Sequence, residues 1–223
     1  GVYEVTLTAA DPNGGEATDT FTWSVQNLGP VAADNTAGVT KQSNETAQGN
    51  LLADDDGSGT DRDPDGDSLS VTAVNGRTDP GGSVTGTYGT LTWQSDGAYT
   101  YRLDPQNSEV RALGKGESLT ESFSYAISDG QGGTDTAQLA VTIAGTNNPP
   151  VLEAPVPDQD SRDGEAVELD AAAHFSDINA NDTLTYTAEG LPGGLDLQAA
   201  TGVITGTIAS DASQGGTSGD GVY

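Results

Sequence analysis

Four aspartates stand on alternate positions in one short stretch: Asp61, Asp63, Asp65 and Asp67 of "TDRDPDGDSLSV", with Gly66 among them. Carboxylates this close repel one another by about 1 kcal/mol per pair even in water at contact distance. A hard cation removes that cost, and Ca²⁺ takes six to eight oxygen ligands of this kind. The run "DRDPDG" at 61–66 matches the opening of an EF-hand loop, with oxygens on alternate positions and glycine at the sixth. The twelfth position is Thr72 instead of a bidentate Glu, and a strand-like pattern follows in place of a helix. An EF-hand is therefore rejected, while the cation chemistry survives the loss of the motif. A lone Asp-Gly pair needs no ion, since both residues make good turns. Four alternate carboxylates in one loop call for a counter-ion.

Other reactive groups carry less. His174, in "AAAHFSD", is the only histidine and reads as a packed or surface residue. Aspartate pairs could mimic a glycosidase dyad, but so many aspartates empty any single pairing of meaning, and no enzyme is expected. "GQGGTD" at 130–135 resembles a calcium-binding β-helix repeat, yet it occurs once, without the period that architecture requires. Trp23, Trp93 and the Tyr99/Tyr101 region are the aromatics that could stack on carbohydrate. Alternation sends Trp23 inward, towards a core.

These residues must be positioned by strands. In "DTFTWSV" Phe21, Trp23 and Val25 share a face, and "AYTYRL" alternates Tyr99, Tyr101 and Leu103. "SFSYAIS", "QLAVTI" and "LTYTA" repeat the two-residue period, with Gly, Asp and Asn turns between them. Short helical stretches fit only around 107–113 and 170–174. Many short strands with Gly/Pro-rich turns predict an all-β chain of tandem antiparallel Greek-key β-sandwiches.

Composition sets limits on partners. With 34 acidic residues against 7 basic, the formal charge of the 223-residue chain is −27. Nucleic acid and anionic membrane surfaces would repel it. No run of about 18 apolar residues is present, so no membrane insertion is expected. The opening "GVYEVTLTAA" reads as a strand rather than a secretory leader. The chain has no cysteine, which excludes disulfides and thiolate metal sites.

The chain also repeats itself. "ADPNGGEATDTFTWSVQNLGPV" at 10–31 is echoed by "SDGQGGTDTAQLAVTIAGTNNPPV" at 128–151, with Asp11 and Asp129 leading the two copies. A second echo pairs "DPDGDSLSVTA" at 63–73 with "DINANDTLTYTA" at 177–188, with one residue inserted. Two successive domains thus end in similar strand pairs, and 26–31 and 144–151 read as linkers. "GVY" stands at both 1–3 and 221–223. The expected organisation is three segments. Residues 1–27 form the last two strands of a split domain, 28–148 a complete sandwich, and 149–223 the first part of another domain, completed by a following copy of 1–27. The same division offers 1–27 as donor strands for a neighbouring chain.

Residues 50–143 resemble a VCBS repeat, a module of very large RTX-type bacterial adhesins. "GNLLADD", "DPDGDSLSVTAVNG", "YGTLTWQSDGAYTYRLDP" and the long run from "ALGKGESLT" to "TNNPPV" carry the likeness, and "DGSGTDR" at 56–62 stands as an insertion. Residues 151–223 together with 1–27 resemble a dystroglycan-type cadherin-like domain, on "PVPDQDSRDGEAVELD", "FSDINANDTLTYTAEGLPGGLDLQAATGVITGT" and "YEVTLTAADPNGGEATDTFTWSVQN". The resemblance implies Ca²⁺ at the junctions between consecutive domains. At one junction Asp11, Asn13 and Asn27 would face Asp63, Asp65 and Asp67, with Asp61 as a further ligand. At the other, Asp129, Asn147 and Asn148 would face Asp177, Asn179 and Asp182. Neutral Asn179 and Asn181, and Ala180 in the place of Gly66, predict a weaker second site. The implied function is a calcium-stiffened spacer of a secreted bacterial surface adhesin, acting in cell adhesion and biofilm formation, with neighbouring repeats as partners. A carbohydrate-binding module is the alternative, and it requires an exposed aromatic platform.

Overall fold

The computed structural model describes residues 1–42, 45–179 and 181–215, so Ala180 and the second "GVY" lie outside the described residues. Two compact units divide the chain: residues 1–110 with 118–144, and residues 111–117 with the described residues from 145 onward. No helix among the described residues is long and apolar enough to cross a membrane.

The first unit opens with a ribbon of two strands, β1 (Val2–Ala10) and β2 (Glu16–Ser24), paired antiparallel from Val2↔Ser24 to Ala10↔Glu16. Side chains alternate across such a ribbon. One face therefore carries Tyr3 opposite Trp23 and Val5 opposite Phe21, and the other carries Glu4 opposite Thr22 and Thr6 opposite Thr20. Among the described residues neither strand pairs with a third. Trp23 is 62 % exposed, and Tyr3, Phe21 and Val25 are exposed beside it. The expected core position of Trp23 is not observed. The alternation gave the correct face, but among the described residues no second sheet covers it.

The same unit then forms a sandwich from β3 (Asn35–Thr40), β4 (Thr46–Asn50), β5 (Ser70–Val74), β6 (Ser83–Thr85), β7 (Gly89–Trp93), β8 (Ala98–Leu103), β9 (Ser118–Ser128) and β10 (Thr134–Ala144). A short helix, α1 (Ser108–Ala112), follows β8, and Asn107 Oδ1 caps it by accepting from the Glu109 and Val110 amides. One sheet runs in the order β3-β10-β9-β5 and the other β4-β8-β7-β6. The two-residue period puts Phe123, Tyr125 and Ile127 of β9 and Leu139, Val141 and Ile143 of β10 inside, all buried. Tyr101 of the opposite sheet meets Phe123 edge-on, with ring centroids 5.9 Å apart. The first strand, β3, lies parallel to the last, β10, over six residue pairs, an exception to the otherwise antiparallel pairing.

The second unit contains β11 (Val151–Leu152), β12 (Ala166–Asp170), β13 (Phe175–Ser176), β14 (Leu195–Gln198) and β15 (Val203–Thr207). They make a two-stranded pair, β11-β13, and a three-stranded sheet, β12-β15-β14. A 3-10 turn at Ala172–His174 matches the expected helical stretch, and His174 is half-buried, with Nδ1 3.2 Å from the Ala154 carbonyl. "LTYTA" at 184–188 forms no strand, although Leu184 and Tyr186 are half-buried and their neighbours exposed, as alternation requires.

Candidate metal centre

The loop 61–67 is shaped by its own carboxylates. Asp63 Oδ1 accepts from the Asp65 amide at 2.8 Å and the Asp67 amide at 3.3 Å, and Gly66, at φ 83°, turns the chain in a region that side chains disfavour. This folds Asp63, Asp65 and Asp67 together, so that one oxygen of each lies within 4.8 Å of the others. Oxygens bound to one Ca²⁺ at 2.3–2.6 Å can be no more than about 5 Å apart, so the three fit a single ion. Asp63 Oδ2 is buried with no hydrogen-bond partner. A buried carboxylate oxygen normally finds one, and a cation would supply it here. The donors are hard oxygens only, which suits Ca²⁺ over softer metals.

Residues ahead of the sandwich are tied into the same cluster. The Leu28 amide donates to Asp65 Oδ2 at 2.8 Å, and Asn27 Nδ2 donates to Asp129 Oδ2 at 2.7 Å. Asp129 opens the β9–β10 turn, and its Oδ1 accepts from the Gln131 and Gly133 amides at 2.8 and 2.9 Å. Burial pushes the Asp129 carboxyl up, but the hydrogen bonds from Gln131, Asn27 and Gly133 together outweigh it and hold the group below the usual carboxylate range. Asp67 shifts the other way. Desolvation, then the negative charges of Asp63, Asp129 and Asp65, push its carboxyl up.

The structure thus brings together Asn27, Asp63, Asp65, Asp67 and Asp129, a set that differs from the expected one. Asp11 and Asn13 sit in the β1–β2 turn, where Asp11 Oδ1 accepts from the Asn13 and Gly15 amides at 2.7 and 3.1 Å. Those bonds, led by the one from Gly15, hold the Asp11 carboxyl below its ordinary value. β2 is nine residues long, so Asp11 is roughly 30 Å along the ribbon from Asn27. The eleven residues of β10 separate Asp129 from Asn147 in the same way, by roughly 36 Å. A hairpin turn lies at the pole opposite its strand ends, so Asp129 joins the loop at the start of its own domain. That geometry was available from the strand lengths.

Asp61 stands apart from the cluster. Its Oδ1 accepts from the Ala33 amide at 2.6 Å and the Tyr125 hydroxyl at 3.2 Å. Burial, opposed by those two bonds, raises its carboxyl above the ordinary value. Asp55, just ahead of the inserted "DGSGTDR", holds its first residues, its Oδ1 accepting from the Gly57 and Gly59 amides.

In the second unit, loop 177–182 repeats this design with fewer charges. Asp177 Oδ1 accepts from the Asn179 amide at 2.8 Å, and the Asn148 amide donates to Asn179 Oδ1 at 2.7 Å, as Leu28 does to Asp65. Asn179 is buried, and its Nδ2 donates to the Ala112 carbonyl. The Asp182 amide donates to the Asn179 carbonyl, while Asn147 and the Asp182 side chain are exposed.

No aromatic platform forms at Tyr99 and Tyr101. Both are buried, as is Trp93, and burial with the charges of Asp54 and Asp56 pushes the Tyr99 hydroxyl up to about 12.

Comparisons with known proteins agree with this architecture. Residues 149–218 match a putative Ig domain. The calcium-binding lectin RapA2 of Rhizobium johnstonii is 35 % identical over 119 residues, which is 51 % of this chain and 47 % of that protein. The chain thus spans about half the length of this curated relative. Solved structures with a similar course include the protocadherin gamma B4 extracellular domain (14 % identity, TM-score 0.44, 93 % of this chain and 34 % of that one). The human desmocollin-1 ectodomain is another (14 % identity, TM-score 0.33, 94 % and 40 %). Residues 27–145, more than half of the 223, match the bacterial cadherin-like domain, and the chain belongs to that family.

Proposed function

We propose that this chain is a calcium-stiffened spacer of a large secreted bacterial surface adhesin, built from a VCBS-type sandwich and parts of a dystroglycan-type cadherin-like domain. One observation carries the reading. Asn27 and Leu28, which lead into the sandwich, are hydrogen-bonded to carboxylates of the Asp63/Asp65/Asp67/Asp129 cluster. An ion held there fixes the entering segment to the acidic loop and the β9–β10 turn at once. Without it the carboxylates repel and the entry loosens. Extracellular calcium modules work at roughly 10⁻⁴–10⁻³ M, so the segment stiffens only after export. Its work is mechanical, in cell adhesion and biofilm formation.

Small-angle scattering of the full chain tests this. A rigid particle in millimolar Ca²⁺ that becomes flexible in chelator is the expected result, and an unchanged profile returns the aspartates to turn-formers. Asp63→Asn keeps the loop's amide acceptor and loses the charge. Its calcium affinity by calorimetry falls roughly tenfold to a hundredfold, the scale of one charge-assisted contact.

A second reading, carbohydrate binding, is favoured by the calcium-binding lectin among the relatives. The exposed aromatics that serve it are Tyr3, Phe21 and Trp23 on the β1–β2 ribbon. Saturable sugar binding lost in Trp23→Ala would support it.

A further inference from the structure

The second unit repeats the first sandwich up to a definite point. Val151 pairs with Ser176 just before the second acidic loop, as Val31 pairs with Arg62 before the first. β12, β15 and β14 stand in the order of β4, β8 and β7. The Tyr186 amide donates to the Ala199 carbonyl at 2.9 Å, as the Val71 amide donates to the Ser95 carbonyl at 2.9 Å. In the first sandwich β3 and β5 do not touch each other but flank β10 and β9. Their counterparts, residues 155–160 and 184–188, form no strand pairing. The position between them is that of an antiparallel hairpin. The three-stranded sheet presents Leu169, Ile204 and Leu197 in one row, only half-buried, and Leu169 and Ile204 line a groove of roughly 720 Å³.

The chain carries a hairpin of that kind. Aligning the turns of β1–β2 and β9–β10 puts Phe21, Trp23 and Val25 in the places of Leu139, Val141 and Ile143. The first three are exposed and the second three fully buried. The turns agree in detail: Asp11 holds the Asn13 and Gly15 amides as Asp129 holds those of Gln131 and Gly133. An apolar ribbon that no described strand covers and a second unit with no described strands in the hairpin's place are complementary.

We propose that the β1–β2 hairpin of one copy inserts between residues 155–160 and 184–188 of a second copy and completes its sandwich. The hairpin supplies ladder partners to both segments, and its apolar face covers Leu169, Ile204 and Leu197. It sets Asp11 beside loop 177–182, in the place that Asp129 holds beside Asp67. The donated and receiving surfaces differ, so the contact is head-to-tail and open-ended. Its calcium dependence alone rests on the function proposed above.

Sedimentation velocity on the full chain, from low to high micromolar, tests the docking in millimolar Ca²⁺ and in chelator. Wild type grows with concentration. A hairpin variant (Phe21→Asp with Trp23→Asp) and a receiving-face variant (Leu169→Asp with Ile204→Asp) each remain single copies. An equimolar mixture of the two stops at two copies, because one hairpin and one receiving face survive. In that mixture Trp23 of the receiving-face variant loses its access to acrylamide. The pairing does not require the second unit of that variant to fold, since its hairpin belongs to the first. Wild type remaining a single copy throughout, with Trp23 open or shielded, overturns the proposal, as does a mixture that stays monomeric. Growth in chelator equal to that in Ca²⁺ upholds the docking and counts only against the calcium reading.

Discussion

Asp67 and Asp129 border the same cluster and respond to it in opposite directions. The folded-state value of Asp67 is raised, so its contribution to stability is present below its unfolded value and lost as pH rises through the folded one. The Asp129 value is lowered, so its contribution is present above the unfolded value and lost as pH falls through the folded one. In calcium-free solution a carboxyl-carbon NMR titration therefore shows Asp67 taking up its proton before Asp129 as the pH falls. Millimolar Ca²⁺ pulls the Asp67 transition to lower pH. Simultaneous titration of the two at an ordinary carboxylate pH would contradict the cluster. The alternate spacing of Asp63, Asp65 and Asp67 was legible in the sequence because a turn converts it directly into proximity. The place of Asp129 followed less directly, through the length of β10, which carries its turn to the pole opposite Asn147. Asp61 follows the same spacing yet turns towards Tyr125 and Ala33, a choice that only the packed core makes.

At the scale of the element, β9 and β10 show how much a two-residue period determines once a partner sheet exists. Leu139 is fully buried, and Leu139→Ala is expected to cost about 2–5 kcal/mol in urea denaturation. Phe21, at the matching place in β2, is 43 % exposed, and Phe21→Ala in dilute, calcium-free chain is expected to cost under about 0.5 kcal/mol. Equal losses would mean that the ribbon is already covered. The period also predicts a strand at "LTYTA" and a buried Trp23, and the structure shows neither. Alternation specifies which face of a segment is apolar, whereas a ladder or a core needs a second segment to meet it. Both departures fall where that second segment is missing among the described residues.

For the molecule as a whole, a formal charge of −27 with 7 basic residues leaves little internal compensation. Arg77 and Asp79 form an ion pair at 3.5 Å that is well exposed, and such pairs contribute little. Self-repulsion should therefore be a large part of what calcium relieves. In chelator the melting temperature is expected to climb as sodium chloride is raised from low to near-physiological concentration and beyond, because screening tightens. With saturating Ca²⁺ the same salt series should move it much less. A salt response of equal size in both conditions would place the repulsion away from the calcium loops.

The parallel pairing of β3 with β10 has a bearing on how the sandwich meets force. These are its first and last strands, joined over Asn35↔Leu139 to Thr40↔Ala144. Tension applied at the two ends of the sandwich pulls β3 one way along the ladder and β10 the other. The evenly spaced bonds of a parallel pair are then strained together in shear instead of opening one after another like a zip. A chain under flow or traction would yield at this joint only when the whole row of hydrogen bonds gives way at once.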